Sequence, residues 1–177
     1  FLNNIKPGVN IRLSVSRIGS KAQIAPIKKL ASALPDGIRL YVKEHPSTFS
    51  KNCDRRWRPK GFYKRITKIT NVFICPYDQD THEIIDGAQF VASISGVCLT
   101  EALARGIPSI SFYPARFSYF PKSILLDAYN ASLSELRASL KILISQKNHM
   151  FRKKVFSSLN EVAKNGYDGS DGHTYRT

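Results

Sequence analysis

Two short stretches of this chain combine residue types suited to holding an anion. The first runs from Ser95-Gly96 through Glu101-Ala102 to Gly106-Ile107-Pro108. An apolar run, Gln89 to Ile94, ends at Ser95-Gly96, and a helix-forming segment follows as far as Arg105. A small-residue turn at a helix start leaves the first backbone N–H groups without intrahelical partners, and they favour negative charge. Glu101 lies about a turn and a half into that segment. A carboxylate there can accept hydrogen bonds from paired hydroxyls, as acidic residues do with ribose in dinucleotide folds. The same position equally suits an ordinary exposed helical glutamate. The second stretch is Val42-Lys43-Glu44-His45-Pro46. Its imidazole can donate to a phosphate or carboxylate oxygen, or simply bond backbone within its own loop. A third stretch, Phe112 to Pro121, is rich in aromatics around Arg116. It can line a base or sugar pocket, with Arg116 near an acidic group, or cap a sheet edge.

These groups meet only if the intervening elements bring them to one edge. Val9, Ile11, Leu13 and Val15 alternate with polar residues, the period of a strand with one polar face. After the small-residue loop Ser16 to Ser20, Ile24, Ile27, Leu30, Ala31 and Leu34 recur at helical steps and predict a helix ended by Pro35-Asp36-Gly37. Ile38 to Val42 is the next expected strand. This βαβ rhythm implies parallel strands with right-handed crossovers, and Pro46 holds His45 out of helix, in the loop at that strand's carboxyl end. Phe62, Ile66 and Ile69 predict a short helix, and Val72 to Cys75 a strand closed by Pro76. Asp78-Gln79-Asp80-Thr81 is a capping start for a helix through Ile84, Ile85 and Ala88. The strand ending at Ile94, the helix to Arg105, the Gly106 stop and a last strand, Ile107 to Phe112, form another βαβ unit. Two helical stripes close the chain: Leu133, Leu136, Leu140, Leu143 and Ile144, then Phe151, Val155, Phe156, Leu159 and Val162. The expected architecture is an α/β, Rossmann-like open parallel sheet with helices on both faces. Residues 1–164 form one domain, and the aperiodic 165–177 form a mobile tail.

Composition narrows the function classes. The chain has 177 residues, 42% of them apolar, enough for one domain with a full core. No stretch approaches the roughly 20 apolar residues of a membrane span. Cys53, Cys75 and Cys98 form no CxxC pair, and an odd count opposes a disulfide framework, so reduced thiols in a cytoplasmic setting are expected. The net charge of +14 admits nucleic acid, an anionic inner-membrane surface, or a site for a nucleotide and an acidic sugar. No RNP motif, zinc-finger spacing or basic leucine-zipper helix supports the first. The densest basic cluster, Lys51 to Arg65, belongs to a long aperiodic loop, either functional or merely solvated. Phe1 in place of Met suggests a piece of a longer protein. There is no GxGxxG, Walker A or GxSxG motif, and His45, His82, His149 and His173 lack metal-ligand spacing, so no metal or cofactor is expected.

Ser95-Gly96-x-x-x-x-Glu101-Ala102-x-x-x-Gly106-x-Pro108 resembles the donor-site signature in the C-terminal domain of GT-B-type glycosyltransferases. The likeness is greatest to bacterial capsule and surface-polysaccharide enzymes, the Kdo-transferring group among them. Lys43-Glu44-His45-Pro46 is similar to the His-Pro motif of the same enzymes, and the combined pattern covers roughly Ile24 to Phe120. Val97 and Thr100 depart from that pattern, standing where a Thr and a Gly or Ser often occur. UDP-sugar 2-epimerases share this style of motif, but the acidic-Arg-Pro signature that usually continues theirs is missing between Tyr113 and Tyr119. The resemblance implies one half of a GT-B fold and a nucleotide-sugar substrate, CMP- or UDP-linked. It implies a donor phosphate held at Ser95-Gly96 with His45, and with Lys43 or Arg17. Glu101 would hold the ribose hydroxyls, with Thr100 and Arg116 completing the site. No residue is assigned as catalytic, because the general base of an inverting transfer normally comes from an N-terminal acceptor domain, which this chain is expected to lack. The same likeness implies a glycan or glycolipid acceptor; the cytoplasmic place is expected from the unpaired thiols, and peripheral contact with an anionic inner membrane is one reading of the net charge. The alternative is a basic nucleic-acid-binding or non-catalytic scaffold domain.

Overall fold

The computed structural model describes residues 8–13, 20–49, 58, 60–94, 96–113, 120–121, 124–145 and 148–164. Six strands are present among them: β1 (Gly8–Leu13), β2 (Arg39–Glu44), β3 (Val72–Ile74), β4 (Ala88–Ser93), β5 (Ser109–Ser111) and β6 (Leu125–Asp127). They form one sheet in the order β3-β2-β1-β4-β5-β6, with every neighbouring pair parallel. The chain builds outward from β1 to β3, returns to the far side of β1, and builds outward again to β6. That reversal is the mark of the Rossmann arrangement.

Six helices accompany the strands: α1 (Ser20–Ala33), α2 (Phe62–Thr67), α3 (Thr81–Asp86), α4 (Cys98–Ala104), α5 (Leu133–Ser145) and α6 (Asn148–Lys164). Strand β4 shows how they are shared between the two faces. Phe90 and Ala92 join a buried cluster with Ile24, Ile27 and Leu30 of α1, Phe62 and Ile66 of α2, and Leu136 and Leu140 of α5. Val91, between them on the opposite face, packs with Ile85 of α3, Leu99 and Leu103 of α4, and Phe151 and Val155 of α6. A strand covered on both sides carries apolar residues at successive positions, which is why β4 reads as a run and not an alternation. Fully buried Phe90 alone contributes about 2–3 kcal/mol through lost apolar exposure.

The ends of the helices follow the local chemistry of the sequence. Asp80 caps α3, its carboxylate accepting from the N–H groups of His82 (2.7 Å) and Glu83 (3.0 Å). Ser132 and Glu135 form a reciprocal capping box before α5: Glu135 Oε2 accepts from the Ser132 N–H at 2.7 Å, and Ser132 Oγ from the Glu135 N–H at 3.2 Å. Gly106 ends α4 with φ of 73°, and a Cβ there would lie 1.9 Å from Cγ of Arg152. Backbone sign and the close passage of α6 therefore both require glycine.

Several elements differ from the sequence reading, among them β2, α3 and β6. Strand β2 continues through Lys43 and Glu44, two residues past the expected end at Val42. Helix α3 stops at Asp86, and Ala88, expected to belong to it, opens β4. Strand β6 was not expected at all: the sheet has one more strand beyond β5. Phe156, placed on the apolar stripe of the last helix, stands 52% exposed. The tail 165–177 lies outside the described residues.

Candidate functional site

The carboxyl ends of β1 and β4 lie side by side where the strand order reverses, with β2 beyond β1 on one side and β5 beyond β4 on the other. Open α/β sheets bind ligands in the crevice this creates. The register fixes what borders it. Lys43, Arg12, Ser93, Ser111 and Asp127 occupy one straight row across β2, β1, β4, β5 and β6. One step further, Glu44 pairs with Leu13, and His45 follows directly.

At the end of β4 the backbone turns on a serine. Ser93, fully buried, accepts a hydrogen bond on Oγ from the Gly96 N–H at 3.0 Å. A Cβ on Gly96 would sit 2.7 Å from that Oγ and 3.2 Å from Sγ of Cys98. Glycine is thus needed here for close approach, not for an unusual φ. The next strand repeats the device, with Ser111 Oγ accepting from the Tyr113 N–H at 3.1 Å. Short hydroxyl side chains at strand ends capture the following backbone in this way and set the direction of the loop.

Helix α4 begins at Cys98, later than the Ser95-Gly96 start read from the sequence, so Glu101 falls in its first turn. Glu101 is half-buried, and its N–H donates to the Val97 carbonyl at 3.1 Å. The Thr100 hydroxyl donates to the same carbonyl at 2.7 Å, which turns it toward its own helix.

Lys43 is buried within the sheet row, and its ammonium donates to the backbone carbonyl of Tyr77, beyond β3. Cys75 lies nearby. Burial pushes its thiol up to about 11, and the positive charge of Lys43 pulls the other way. His45 is half-buried, its carbonyl accepting from the Thr48 N–H at 2.9 Å within the single 3-10 turn Pro46–Phe49. With neighbouring strands about 4.8 Å apart, β2 and β4 are separated by roughly 10 Å across β1. His45 and the Gly96 turn therefore flank the crevice from its two sides. Arg17, Ser95 and Arg116 lie outside the described residues.

Sequence reasoning missed a buried ion pair beside this crevice. Glu44, 2% exposed, receives Nε of Arg58 at 2.6 Å on Oε1 and Nη2 at 2.8 Å on Oε2, and Thr48 Oγ1 at 3.4 Å. The Arg58 guanidinium also lies 4.7 Å from the ring centre of Phe62. Burial would lower the Arg58 pKa, but the hydrogen bond and charge of Glu44 outweigh it and the net direction is upward. The phenol of Tyr63 is raised, first by burial and then by the Glu44 charge. Arg58 belongs to the basic stretch that the sequence leaves as either functional or merely solvated, and its guanidinium is bonded to the carboxyl end of β2 through Glu44. Only the position of Glu44 inside the Lys-Glu-His-Pro stretch hinted at this; a partner 14 residues on leaves no periodic signal.

No protein-family model matches the chain. Among curated proteins, 55 residues are 47% identical to the mitochondrial ATP synthase subunit alpha of Dictyostelium citrinum. That match covers 30% of this chain and 11% of the relative, too small a share to define a family. Solved structures match over nearly the whole chain. WaaG, a glycosyltransferase involved in lipopolysaccharide biosynthesis, is 20% identical with a TM-score of 0.51, over 93% of this chain and 45% of WaaG. The α,α-trehalose 6-phosphate synthase of Burkholderia multivorans is 11% identical with a TM-score of 0.62, over 93% and 40%. The C-terminal domain of LpcC, a group 1 glycosyl transferase of Francisella tularensis, is 13% identical with a TM-score of 0.53, over 92% and 87%. A Listeria monocytogenes chain described as a UDP-N-acetylglucosamine 2-epimerase aligns equally well, at 13% and 0.54, over 87% and 40%. The chain spans less than half the length of WaaG and nearly all of an isolated C-terminal domain. It shares the Rossmann-like α/β fold of the LpcC C-terminal domain and of the matching parts of the other structures.

Proposed function

We propose that this chain is the nucleotide-sugar-binding domain of a glycosyltransferase that builds bacterial capsule or another surface polysaccharide. The observation that carries the reading is the strand order, which brings the His45 and Gly96 segments to opposite sides of the β1–β4 crevice. The fold shared with WaaG and the LpcC domain supports it, as does the motif likeness at Lys43 to Pro46 and Ser95 to Pro108. In this reading the donor phosphate lies over the turn at Ser95-Gly96, with His45 donating from the β2 side. Glu101 accepts from the ribose hydroxyls. Arg17 and Arg116 are assigned supporting contacts with the donor. Lys43 has a revised role: its ammonium is engaged with Tyr77 O, so it shapes the floor and adds positive potential from below. Thr100 likewise steadies the first turn of α4.

The chemistry asked of such a site is modest. Holding a donor in place and stabilising negative charge on the departing nucleotide supply most of the acceleration in a transfer of this kind. No residue of this chain is assigned as the general base. The donor is read as CMP- or UDP-linked, the acceptor as a glycan or glycolipid, and the working place as the cytoplasmic side of the inner membrane.

The test is a thermal-shift panel of CMP, UDP, GDP and short oligonucleotides. A ligand that binds only the folded state raises the melting temperature. Stabilisation by CMP or UDP is the expected result. A response to oligonucleotides alone would replace this reading with that of a basic nucleic-acid-binding domain.

A further inference from the structure

Away from the carboxyl edge, a groove of about 520 Å³ runs between α1 and α2. Its aliphatic surface is Ile24, Ala25 and Ile69, and its charged rim is Lys28, Arg65 and Lys68. All three cations are exposed, as are Lys60 and Lys64 beside them. Neither helix carries an acidic residue. No ion pair reaches Lys28, Arg65 or Lys68 among the described residues, where the pairs are Glu44–Arg58 and Asp86–Arg105. Three cations on the rim of an apolar slot are costly to assemble through mutual repulsion. The protein nevertheless gathers them here, while both helices bury their other sides against the sheet.

We propose that this groove docks the protein on an anionic membrane surface, with lipid phosphates on the rim and the glycerol and upper acyl region against the aliphatic surface. Two features favour lipid over nucleic acid. Among the described residues the groove lining has no aromatic ring on which a base could stack, whereas single-stranded nucleic acid is held largely by such stacking. Long Lys and Arg stems can cover apolar surface while their charges reach outward, the geometry of an interface between headgroups and acyl chains. The attraction is electrostatic in range, so it falls off over a Debye length and weakens with salt.

The experiment is vesicle flotation of the full chain with two compositions: phosphatidylcholine alone, and phosphatidylcholine with one third phosphatidylglycerol. Wild type floats with the second and not the first, and is released as salt is raised. The triple variant Lys28→Glu, Arg65→Glu, Lys68→Glu changes only exposed residues, and its melting curve verifies the fold. It should lose more than about tenfold in apparent affinity. A control with the same charge change elsewhere, Lys141→Glu, Lys153→Glu, Lys154→Glu on α5 and α6, should keep most of the binding. A further variant, Ala25→Glu, puts a carboxylate on the groove surface and should weaken binding with a single substitution. Equal loss in the groove triple and the control would reduce the effect to net charge and overturn the proposal. So would unchanged flotation in the groove triple. A groove triple that loses affinity for a single-stranded oligonucleotide but floats like wild type would make the groove a nucleic-acid site instead.

Discussion

Glu44 and Arg58 constrain the edge of the candidate site through a buried ion pair. A carboxylate at the carboxyl end of β2 is taken almost wholly out of water and receives two guanidinium bonds, at 2.6 and 2.8 Å. Removing one partner of a buried pair leaves the other charge uncompensated, which costs about 3–5 kcal/mol. Against a total stability of roughly 5–15 kcal/mol for a domain, that is a large fraction. Arg58→Met should therefore lower the midpoint of urea unfolding sharply, whereas Arg58→Lys, which keeps a charge but loses the fork, should cost less. Adding Glu44→Gln to Arg58→Met should recover part of the loss, because the remaining side chain is then neutral. Equilibrium unfolding of the four proteins measures this, and an Arg58→Met variant as stable as wild type would remove the pair from the framework. The Lys43-Glu44 pair also explains why the end of β2 was hard to read. Charged residues are rarely buried, so two in succession look like the start of a loop. Here each has its own partner, Tyr77 O for one and Arg58 for the other, and the strand runs on through both.

Elements were legible where a local rule sufficed. The cap at Asp80, the glycine stop at Gly106 and the apolar stripe of α1 each depend on residues within a turn of one another. Strand β6 was not: Leu125–Asp127 is three residues long, is followed by no periodic partner, and is defined by its pairing with β5. The later start of α4 was missed for a related reason. The Ser93 hydroxyl takes the Gly96 N–H, so the turn ends before the helix begins. A pH effect belongs to this scale. The hydrogen bond from the Glu83 N–H does most to hold the Asp80 carboxyl below its ordinary value of 3.8; desolvation opposes it, and the smaller pull of the His82 N–H adds to it. A group depressed in the folded state contributes stability that is complete above its unfolded pKa and is lost as the pH falls through the folded one. Asp80→Asn keeps a capping side chain but removes the charge. Its melting temperature should fall below that of wild type at pH 7, and the gap should close as the pH drops below 3.8. Thermal melts across that range would record it. A gap of constant size would assign the cap's contribution to geometry alone.

At the scale of the whole molecule, two surfaces differ in what they present. The carboxyl edge is built around the β1–β4 reversal, and the α1–α2 groove carries the unpaired positive charge of Lys28, Arg65 and Lys68. The parallel sheet, its helices on both faces and the edge at which His45 and Gly96 emerge all followed from the βαβ rhythm. The contacts that give that edge its shape did not, because Ser93, Glu44 and Arg58 act across the fold and not along the sequence. Glu101 has the most exact assignment. It is half-buried in the first turn of α4, and its proposed work is to receive the ribose hydroxyls. A hydrogen bond to a charged group is worth about 1.5–3 kcal/mol, so losing it should weaken affinity on the order of tenfold or more without unfolding the helix. The decisive measurement is a calorimetric titration of UDP and CMP into the wild-type chain and into Glu101→Ala, with melting curves of both proteins. Saturable binding of one nucleotide to wild type, at least about tenfold weaker in a variant that melts at nearly the same temperature, is the expected result. Equal affinity in the two proteins, or no binding heat from either nucleotide in the wild type, would contradict a nucleotide site at this edge.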